Sequence, residues 1–242
     1  SKGGGEARGG VAGARRGFGG HGSLRRRLGG AGRPLAGRKI GFTNRALWPV
    51  YGVDAPIWGA VHPDTLADPA APVPLGGLME PRIEPEIALG LAEAPAPGED
   101  AAALRRRLAW VAPAVELVQS PYPGWRFDTA DAAAAGALHG RLILGPRLPA
   151  AEIPAEGLAG LGVVLRRNGA EVARGTGAAA LGGPLEALAH LLRVLAAEGA
   201  PPLAAGEVVS TGTLTDAMPI APGERWTADF DAPLGPLRVR FA

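Results

Sequence analysis

The predicted fold depends most on one stretch, Pro81-Arg82-Ile83-Glu84-Pro85-Glu86-Ile87-Ala88-Leu89-Gly90-Leu91. Its apolar side chains fall on one parity, at Ile83, Ile87, Leu89 and Leu91, and the other parity carries Glu84, Glu86, Ala88 and Gly90. Because successive side chains of a strand point to opposite faces, this alternation predicts a half-buried β-strand. Pro85 has no N–H for a ladder hydrogen bond, so the strand is expected at a sheet edge or to be bulged there.

The two carboxylates of this stretch project from the same predicted face, with their Cα atoms about 7 Å apart. Neighbouring carboxylates repel unless a cation lies between them, and Mg²⁺ takes carboxylate oxygens as ligands. The small residues Ala88 and Gly90 leave room on that face for a bound group. The competing interpretation is a solvated strand face with no ligand.

Composition limits what else the chain can be. Its 242 residues suit one domain, or one domain with an appendage. There is no cysteine, so disulfides and thiolate metal sites are excluded, and a metal would be held by oxygens or by the four histidines. No uninterrupted apolar run approaches 18 residues in length, so no membrane span is expected.

Charge and glycine are unevenly distributed. Residues 1–40 carry ten Lys/Arg and one acidic residue, a balance of +9, whereas the remainder has a balance of −7. Residues 1–36 are rich in Gly and Arg without periodicity, which predicts a disordered segment or one that is not the natural reading frame. The domain is therefore expected to span residues 37–242. The sequence pI of about 9.5 describes the first segment and does not indicate nucleic-acid binding by the domain.

Lys39 is the first candidate for catalysis. It lies in the predicted strand Gly37-Arg38-Lys39-Ile40-Gly41, and the chain otherwise uses only Lys2 beside 23 arginines. A lysine amine can lose its proton and act as a base, whereas arginine effectively cannot. An ordinary surface lysine is the competing interpretation.

Glu116 is the candidate third metal ligand. It is the one charge in the predicted strand Ala114-Val115-Glu116-Leu117-Val118-Gln119, which follows a helix predicted through Leu104, Leu108 and Val111. An unpaired buried carboxylate is costly, so Glu116 needs a cation or a hydrogen-bond donor, and Glu84 and Glu86 are its natural companions.

Three further segments complete the prediction. Asp131 and His139 flank a strand that follows a Pro/Trp-rich loop, and both are candidate catalytic residues expected at a pocket mouth; for His139 a structural and a catalytic role are equally compatible with the sequence. Asn168-Gly169 predicts a hairpin over 162–175, and Pro184 begins a leucine-striped helix that ends at Gly199. The turn containing Thr211, Gly212 and Thr213 suits binding of a substrate carboxylate, or is an ordinary hydroxyl-stabilised turn.

Together these motifs resemble the fumarylacetoacetate hydrolase superfamily, in the branch of 2-oxopent-4-enoate hydratases and 4-oxalocrotonate decarboxylases. The matching pieces are Gly37 to Thr43, Tyr51 to Gly59, Pro81 to Leu91, Val111 to Gln119 and Ser210 to Ala217. The resemblance implies an α+β fold, a mixed β-sandwich or roll with flanking helices, usually in a homo-oligomer. It also implies Mg²⁺ or Mn²⁺ on Glu84, Glu86 and Glu116, with Lys39 in the active site.

Two features depart from that resemblance. Ile57 stands where the hydratases usually carry an acidic residue, and residues 1–36 do not look like the helical segment that usually precedes the Lys39 strand. The first departure weakens the hydratases' acid–base assignment for this chain.

The resemblance implies a cytoplasmic, divalent-metal-dependent lyase, a hydratase or decarboxylase that acts on a small 2-oxo-4-enoate or 2-hydroxy-dienoate acid through a metal-stabilised enolate. Two alternatives stay open at this point. One is a C–C hydrolase or keto–enol tautomerase on an acylpyruvate, in which His139 would activate water. The other is a non-catalytic subunit that depends on a partner. Neither nucleic acid nor membrane is an expected partner.

Overall fold

The computed structural model describes residues 33–153 and 157–242. The segment 1–32, which contains most of the stretch predicted to be disordered or non-native, lies outside the described residues. Just before the domain, the N–H of Ala36 donates to the carbonyl of Val61, and the Ala36 carbonyl accepts the N–H of Val208. The chain is therefore already joined to the sheet one residue before the predicted start of the domain.

The described residues form strands and helices linked by short 3₁₀ turns. The strands are β1 (Gly37–Gly41), β2 (Ile57–Val61), β3 (Leu66–Ala67), β4 (Arg82–Leu91), β5 (Leu108–Val118), β6 (His139–Leu144), β7 (Leu148–Pro149), β8 (Gly162–Arg167), β9 (Ala170–Thr176), β10 (Val208–Ser210), β11 (Met218–Pro219), β12 (Arg225–Phe230) and β13 (Pro236–Arg240). The helices are α1 (Trp48–Tyr51), α2 (Ala101–Arg106), α3 (Thr129–Ala134), α4 (Gly157–Gly160) and α5 (Pro184–Ala197).

Two sheets enclose the main core. The larger, mixed sheet has the order β2-β1-β10-β4-β5-β6-β3, with β11 also paired to β4 and β7 to β5. The smaller sheet has the order β13-β12-β8-β9. Ile87 and Val115 from the large sheet share one buried cluster with Trp226 from the small sheet and Leu188 from α5. This confirms the expected α+β class, a mixed sheet with flanking helices.

Strand β4 lies in the centre of the large sheet, and two expectations about it are wrong. The strand is not half-buried, because Glu86 and Ala88 on its second face are almost fully buried as well. Pro85 lies neither at an edge nor at a bulge. Its carbonyl accepts the N–H of Leu214, so this side of Pro85 faces the loop between β10 and β11. The ladder is interrupted there, and the missing proline N–H therefore costs no ladder hydrogen bond.

The helix predicted through Val111 is much shorter than expected. Asp100 caps α2 by accepting the N–H of Ala103 at 2.7 Å, and the helix ends at Arg106. Leu108 and Val111 belong instead to β5, which pairs with β4 over its length. The i, i+4, i+7 spacing is that of a helix, but β5 is buried on both faces from Val111 onward, so its apolar residues follow no single parity. The long pairing with β4 decides for the strand.

The hairpin and the leucine-striped helix are confirmed. β8 and β9 are joined at Asn168 and Gly169, which both have positive φ, as the type I′ signal requires. Helix α5 begins at Pro184 and buries five leucines, Leu185, Leu188, Leu191, Leu192 and Leu195.

One helical stretch, Gly177–Ala197, has the length and composition of a membrane span, with a mean hydropathy of 1.2. This was not expected from the sequence, in which Glu186 and Arg193 interrupt the apolar residues. Half of its most apolar window is buried inside the protein, as in the core helix of a soluble protein, so the stretch is weak evidence for a membrane.

Candidate metal centre

Strand pairing brings the three predicted glutamates together. β4 and β5 are antiparallel, and their register sets Glu84 directly opposite Glu116. Glu86 lies two residues further along β4 on the same face. One carboxylate oxygen from each of the three lies within 4.8 Å of those of the other two. Since Glu86 and Glu116 are 1% and 0% exposed, the interpretation as a solvated strand face does not apply.

Glu86 is held by the turn that follows β10. Its Oε2 accepts the hydroxyl of Ser210 at 2.5 Å and the N–H of Gly212 at 2.9 Å. Gly212 has φ +101°, and a Cβ there would lie 1.8 Å from Thr43 Oγ1, so only glycine fits. The other oxygen of Glu86, Oε1, is buried without a hydrogen-bond partner.

Glu116 has a cation on one side and a histidine on the other. Because a carboxylate only accepts, His139 donates its Nδ1–H to Glu116 Oε1 at 2.7 Å. The other ring nitrogen of His139 lies 2.9 Å from Thr65 Oγ1. Glu116 Oε2 lies 3.2 Å from Lys39 Nζ as an ion pair but has no hydrogen-bond partner. One oxygen of Glu116 is thus fixed by His139 and the other remains available.

Lys39 is buried beside this cluster. β1 pairs with β10 in a register that sets Lys39 beside Ser210, and this brings the ammonium toward the glutamates. Its Nζ donates to the carbonyl of Ala137 at 2.9 Å and pairs with Glu116. An ammonium has three N–H groups, so one is left to meet a ligand in the adjoining cavity.

The charges of the cluster shift one another's pKa values. Burial raises the pKa of Glu84 to about 7, and the charge of Glu116 adds to that rise against the opposing Lys39. Burial and the charges of Glu116 and Glu84 raise the pKa of Glu86 well above its ordinary value. For Glu116 burial opposes ionisation, but Lys39 and His139 outweigh it and lower its pKa. The metal-free cluster therefore retains protons that a bound cation would displace.

The same opposition acts on Lys39. Burial by itself lowers the pKa of the ammonium, but the charges of Glu116, Glu84 and Glu86 outweigh burial and leave the pKa raised. A cation on the glutamates would neutralise the charge that keeps Lys39 protonated.

The raised carboxyl pKa values predict how stability depends on pH. Glu84 and Glu86 bind protons more tightly in the folded chain than in the unfolded chain. The metal-free protein should therefore lose free energy of unfolding as pH rises from about 4.5 to about 7. Glu116 does not add to this decline. Its pKa is lowered in the folded chain, so the stability that it contributes is fully present once the pH exceeds the ordinary carboxyl pKa. Thermal melts across this window in EDTA should show the decline, and saturating Mg²⁺ should remove it.

The Glu84→Gln protein in EDTA is the control for that experiment, because it lacks one of the two titrating groups and should decline less. A melting temperature of the metal-free wild type that stays constant or rises across the window would contradict the assignment.

The donor set fits a hard divalent cation. All three donors are carboxylates. Glu86 Oε1 is buried without any hydrogen bond, and Glu116 Oε2 is buried with only the ion pair to Lys39. Buried acceptors are normally satisfied, so Glu86 Oε1 indicates a missing partner. Mg²⁺ and Mn²⁺ favour oxygen ligands, and Mg²⁺ keeps several positions for water or substrate oxygens.

A cavity opens next to the cluster. It has about 430 Å³ of free space, including space open to solvent, and Lys39, Glu84 and Thr213 contribute its polar lining. The remaining lining is mostly apolar, from Phe42, Leu47, Tyr51, Ile57, Val118, Trp125, Ala137 and Leu138. A small acid bound here would meet Glu84, Lys39 and Thr213 together with mostly apolar side chains.

Other predicted site residues have different positions. Asp128 and Asp131 form a capping box at the start of α3, in which each side chain accepts the backbone N–H of the other residue. Asp131 does not line the cavity. His139 does not line the cavity either, and its Nδ1 contacts Oε1 of Glu116. The Thr211 hydroxyl donates to the carbonyl of Ile87 at 2.7 Å, which is a structural role. The Gly212 N–H is engaged by Glu86, and Thr213 lines the cavity.

Two contributors were missed. Ser210 holds Glu86, and its only sequence signal was its place in the hydroxyl-rich turn. Thr65 contacts His139 from the 3₁₀ turn Pro63–Thr65, far away in the sequence, and no local pattern indicated it.

His139 is expected to position Glu116. Replacing it with leucine removes the donor to Oε1, so Mg²⁺ affinity measured by calorimetry should fall about 10- to 100-fold, as is typical for groups that orient metal ligands. The His139→Asn protein, which keeps an N–H donor, should lose less. Equal affinities in the wild type and the leucine variant would show that the contact does not position Glu116.

Comparison with known proteins agrees with this geometry. The family profile described as "Fumarylacetoacetate (FAA) hydrolase C-terminal" matches residues 49–242. The chain is 34% identical over 220 residues to the 4-oxalocrotonate decarboxylase of Pseudomonas putida. The aligned region covers 90% of this chain and 81% of that protein. It is 33% identical over 218 residues to 2-keto-4-pentenoate hydratase 2 of Dechloromonas aromatica, with 87% of this chain and 79% of that protein covered.

Solved structures are similar as well. The 4-oxalocrotonate decarboxylase from Pseudomonas putida G7, complexed with magnesium and adipate, superposes with a TM-score of 0.82 at 33% identity, over 90% of this chain and 82% of that one. A fumarylpyruvate hydrolase from Pseudomonas aeruginosa, in complex with Mn²⁺ and pyruvate, has a TM-score of 0.63 at 16% identity, over 89% of this chain and 94% of that one, and shares the fold. The profile match over most of the chain and the relatives above 30% identity show that this chain belongs to the fumarylacetoacetate hydrolase family.

Proposed function

We propose that this protein is a divalent-metal-dependent lyase, a hydratase or decarboxylase, that acts on a 2-oxo-4-enoate or its 2-hydroxy-dienoate tautomer. The observation that carries the proposal is the convergence of Glu84, Glu86 and Glu116 with Lys39 at one end of a cavity. Similar proteins that carry the names of these two activities support it, as do magnesium, calcium and manganese in the similar solved structures.

In this proposal the three glutamates hold Mg²⁺ or Mn²⁺, which supplies a Lewis acid for negative charge that develops on the 2-oxo oxygen. Ser210 and the Gly212 N–H fix one oxygen of Glu86, and His139 fixes one of Glu116. Each of these two carboxylates therefore presents its remaining oxygen to the cation without reorganising.

Lys39 is the group that moves a proton. It lines the cavity, and its ammonium has a third N–H beyond those that meet Ala137 and Glu116. In this proposal that third N–H would face the bound 2-oxo acid. General acid–base transfer by a positioned side chain contributes about 10²- to 10⁴-fold to rate. In hydration, a proton is transferred to the carbon chain of the dienol, and water then adds to the resulting enone. In decarboxylation of a 2-oxo-enedioate, the bond to the distal carboxylate breaks, CO₂ leaves, and the electron pair left behind forms an enolate that takes up a proton. Both outcomes therefore need a proton donor beside the carbon chain.

The test is a screen of 2-hydroxy-dienoates, 4-oxalocrotonate and acylpyruvates with Mg²⁺, with Mn²⁺ and with EDTA. Metal-dependent consumption of a dienoate or of oxalocrotonate is the expected result. Turnover of acylpyruvates alone would favour the hydrolase or tautomerase alternative. No turnover of any of these acids with either metal would favour the non-catalytic alternative.

The position of His139 weighs against a hydrolase. Both ring nitrogens lie within hydrogen-bond distance of protein oxygens, and the residue does not line the cavity. A histidine that activates water needs a ring nitrogen directed at the substrate.

A homo-oligomeric assembly and a cytoplasmic location remain predictions, and size-exclusion chromatography with light scattering tests the first.

A further inference from the structure

The lining of the cavity is charged at Lys39 and Glu84, and the head of the 2-oxo acid binds there in the proposed function. Most of the remaining lining is apolar or aromatic and includes the apolar wall, formed by Phe42, Leu47, Tyr51, Ile57 and Trp125. In the part of the chain that the structure describes, Lys39 is the one cation that lines the cavity, and it is already paired with Glu116.

The apolar wall is built as a packed unit. The Tyr51 ring stacks on the Phe127 ring, with 6.0 Å between the ring centroids and an interplanar angle of 6°. The centroids of the Phe42 and Trp125 rings each lie 6.1 Å from that of Tyr51. Mutually packed aromatic rings hold their positions, so this wall does not readily rotate to expose polar groups to a ligand.

A further cation, Arg82, packs against that wall. Its guanidinium carbon is 4.2 Å from the centroid of the Trp125 ring, and its Nη1 donates to the Tyr51 hydroxyl at 2.9 Å. Both aromatic residues line the cavity, whereas Arg82 does not. The guanidinium is therefore engaged by the aromatic side chains and is not part of the cavity lining.

From this arrangement we infer that the site takes 2-oxo acids with an uncharged tail and discriminates against 2-oxo diacids. The inference rests on the proposed function and deepens it. A second carboxylate directed at the apolar wall would lose its hydration without gaining a partner, which is strongly unfavourable.

Similarity to known proteins does not decide between these two classes. A decarboxylase named for oxalocrotonate and hydratases named for 2-keto-4-pentenoate are 33–34% identical to this chain. The choice therefore depends on the side chains that line this cavity.

The experiment compares two acids of equal chain length, 2-oxopentanoate and 2-oxoglutarate, by calorimetry on the full chain saturated with Mg²⁺. The monoacid is expected to bind at least about tenfold more tightly, a difference of about 1.4 kcal/mol. Turnover of a 2-hydroxy-dienoate monoacid and of 4-oxalocrotonate, measured in parallel, should show the same preference in kcat/KM.

A matched pair of variants tests whether the wall is the cause. Leu47→Lys places a cation at the cavity, and it should narrow or reverse the preference for the monoacid. Val50→Lys places the same charge in the neighbouring helix α1, where Val50 is 71% exposed and does not line the cavity, and the preference should stay unchanged.

The outcomes separate the inference from the function on which it rests. Equal or tighter binding of 2-oxoglutarate by the wild type, with turnover of either dienoate, would overturn the inference and leave the lyase proposal standing. Binding of neither acid in the presence of Mg²⁺, with no turnover, would overturn both. The wild-type comparison is informative even where a variant does not fold.

Discussion

Replacing Glu116 with glutamine is expected to weaken Mg²⁺ binding by about two to three orders of magnitude and to abolish most turnover. Removing one partner from a buried charge network typically costs about 3–5 kcal/mol. Glu116 is central in this network, since it lies opposite Glu84, pairs with Lys39 and accepts from His139. Calorimetric titration with Mg²⁺ and a turnover assay measure the two losses.

Stability of the metal-free variant supplies a second readout that separates loss of the site from loss of the fold. Glutamine has nearly the same shape as glutamate and carries no charge, so it relieves part of the repulsion with Glu84 and Glu86. It also leaves the buried Lys39 without its carboxylate partner, so thermal melts in EDTA at neutral pH should show a cooperative transition at a lower temperature than that of the wild type. Mg²⁺ should no longer raise the melting temperature as it does in the wild type.

The matched control is Glu207→Gln. Glu207 is a partly buried carboxylate outside the glutamate cluster. Its Oε2 pairs at 3.0 Å with Nη1 of Arg38, the residue that precedes Lys39 on β1. This change should lower stability and leave Mg²⁺ affinity near that of the wild type. Unchanged Mg²⁺ affinity in the Glu84→Gln, Glu86→Gln and Glu116→Gln proteins would refute the site.

The glutamate cluster shows how far local patterns can predict a site. Strand alternation alone puts Glu84 and Glu86 on one face, and the cost of a lone buried charge indicates that Glu116 needs a partner. The convergence itself depends on the β4–β5 register, which sets Glu84 opposite Glu116. That register comes from the pairing of two long strands, and no short stretch of sequence specifies it.

Burial of the second face of β4 shows why alternation was insufficient. The small side chain at Gly90 suggested open space, but a Cβ there would lie 1.9 Å from the Trp110 ring. Trp110 lies on β5 directly opposite Gly90 and covers it. Small residues on a strand face thus indicate either room for a ligand or close packing of a large neighbour, and only the partner strand distinguishes the two.

Contacts between distant segments were the least predictable. The positions of His139 and Thr65 depend on β3 pairing with β6, two strands that are far apart in the sequence. Thr211 was predicted to touch substrate because hydroxyl-rich turns suit carboxylates. Its hydroxyl instead satisfies the Ile87 carbonyl, at a place where the ladder between β10 and β4 ends. Backbone satisfaction at a strand end took precedence over ligand binding.

Replacing Lys39 with methionine is expected to lower kcat by about 10²- to 10⁴-fold while Mg²⁺ binding persists or strengthens. Methionine fills a similar apolar volume at this buried position but has no proton to move. The ammonium lies 3.2 Å from Glu116 and opposes the charge of an added cation, so its loss should favour the metal. Calorimetry and steady-state kinetics would therefore change in opposite directions, which a general loss of structure does not produce.

The Lys39→Arg protein separates charge from proton transfer. Arginine keeps the positive charge beside the glutamates, but it does not lose its proton in proteins. If Lys39 acts as proton carrier, the arginine variant should be nearly as inactive as the methionine variant and should keep Mg²⁺ affinity close to that of the wild type. If the arginine variant retained activity within about tenfold of the wild type, Lys39 would serve as a fixed positive charge.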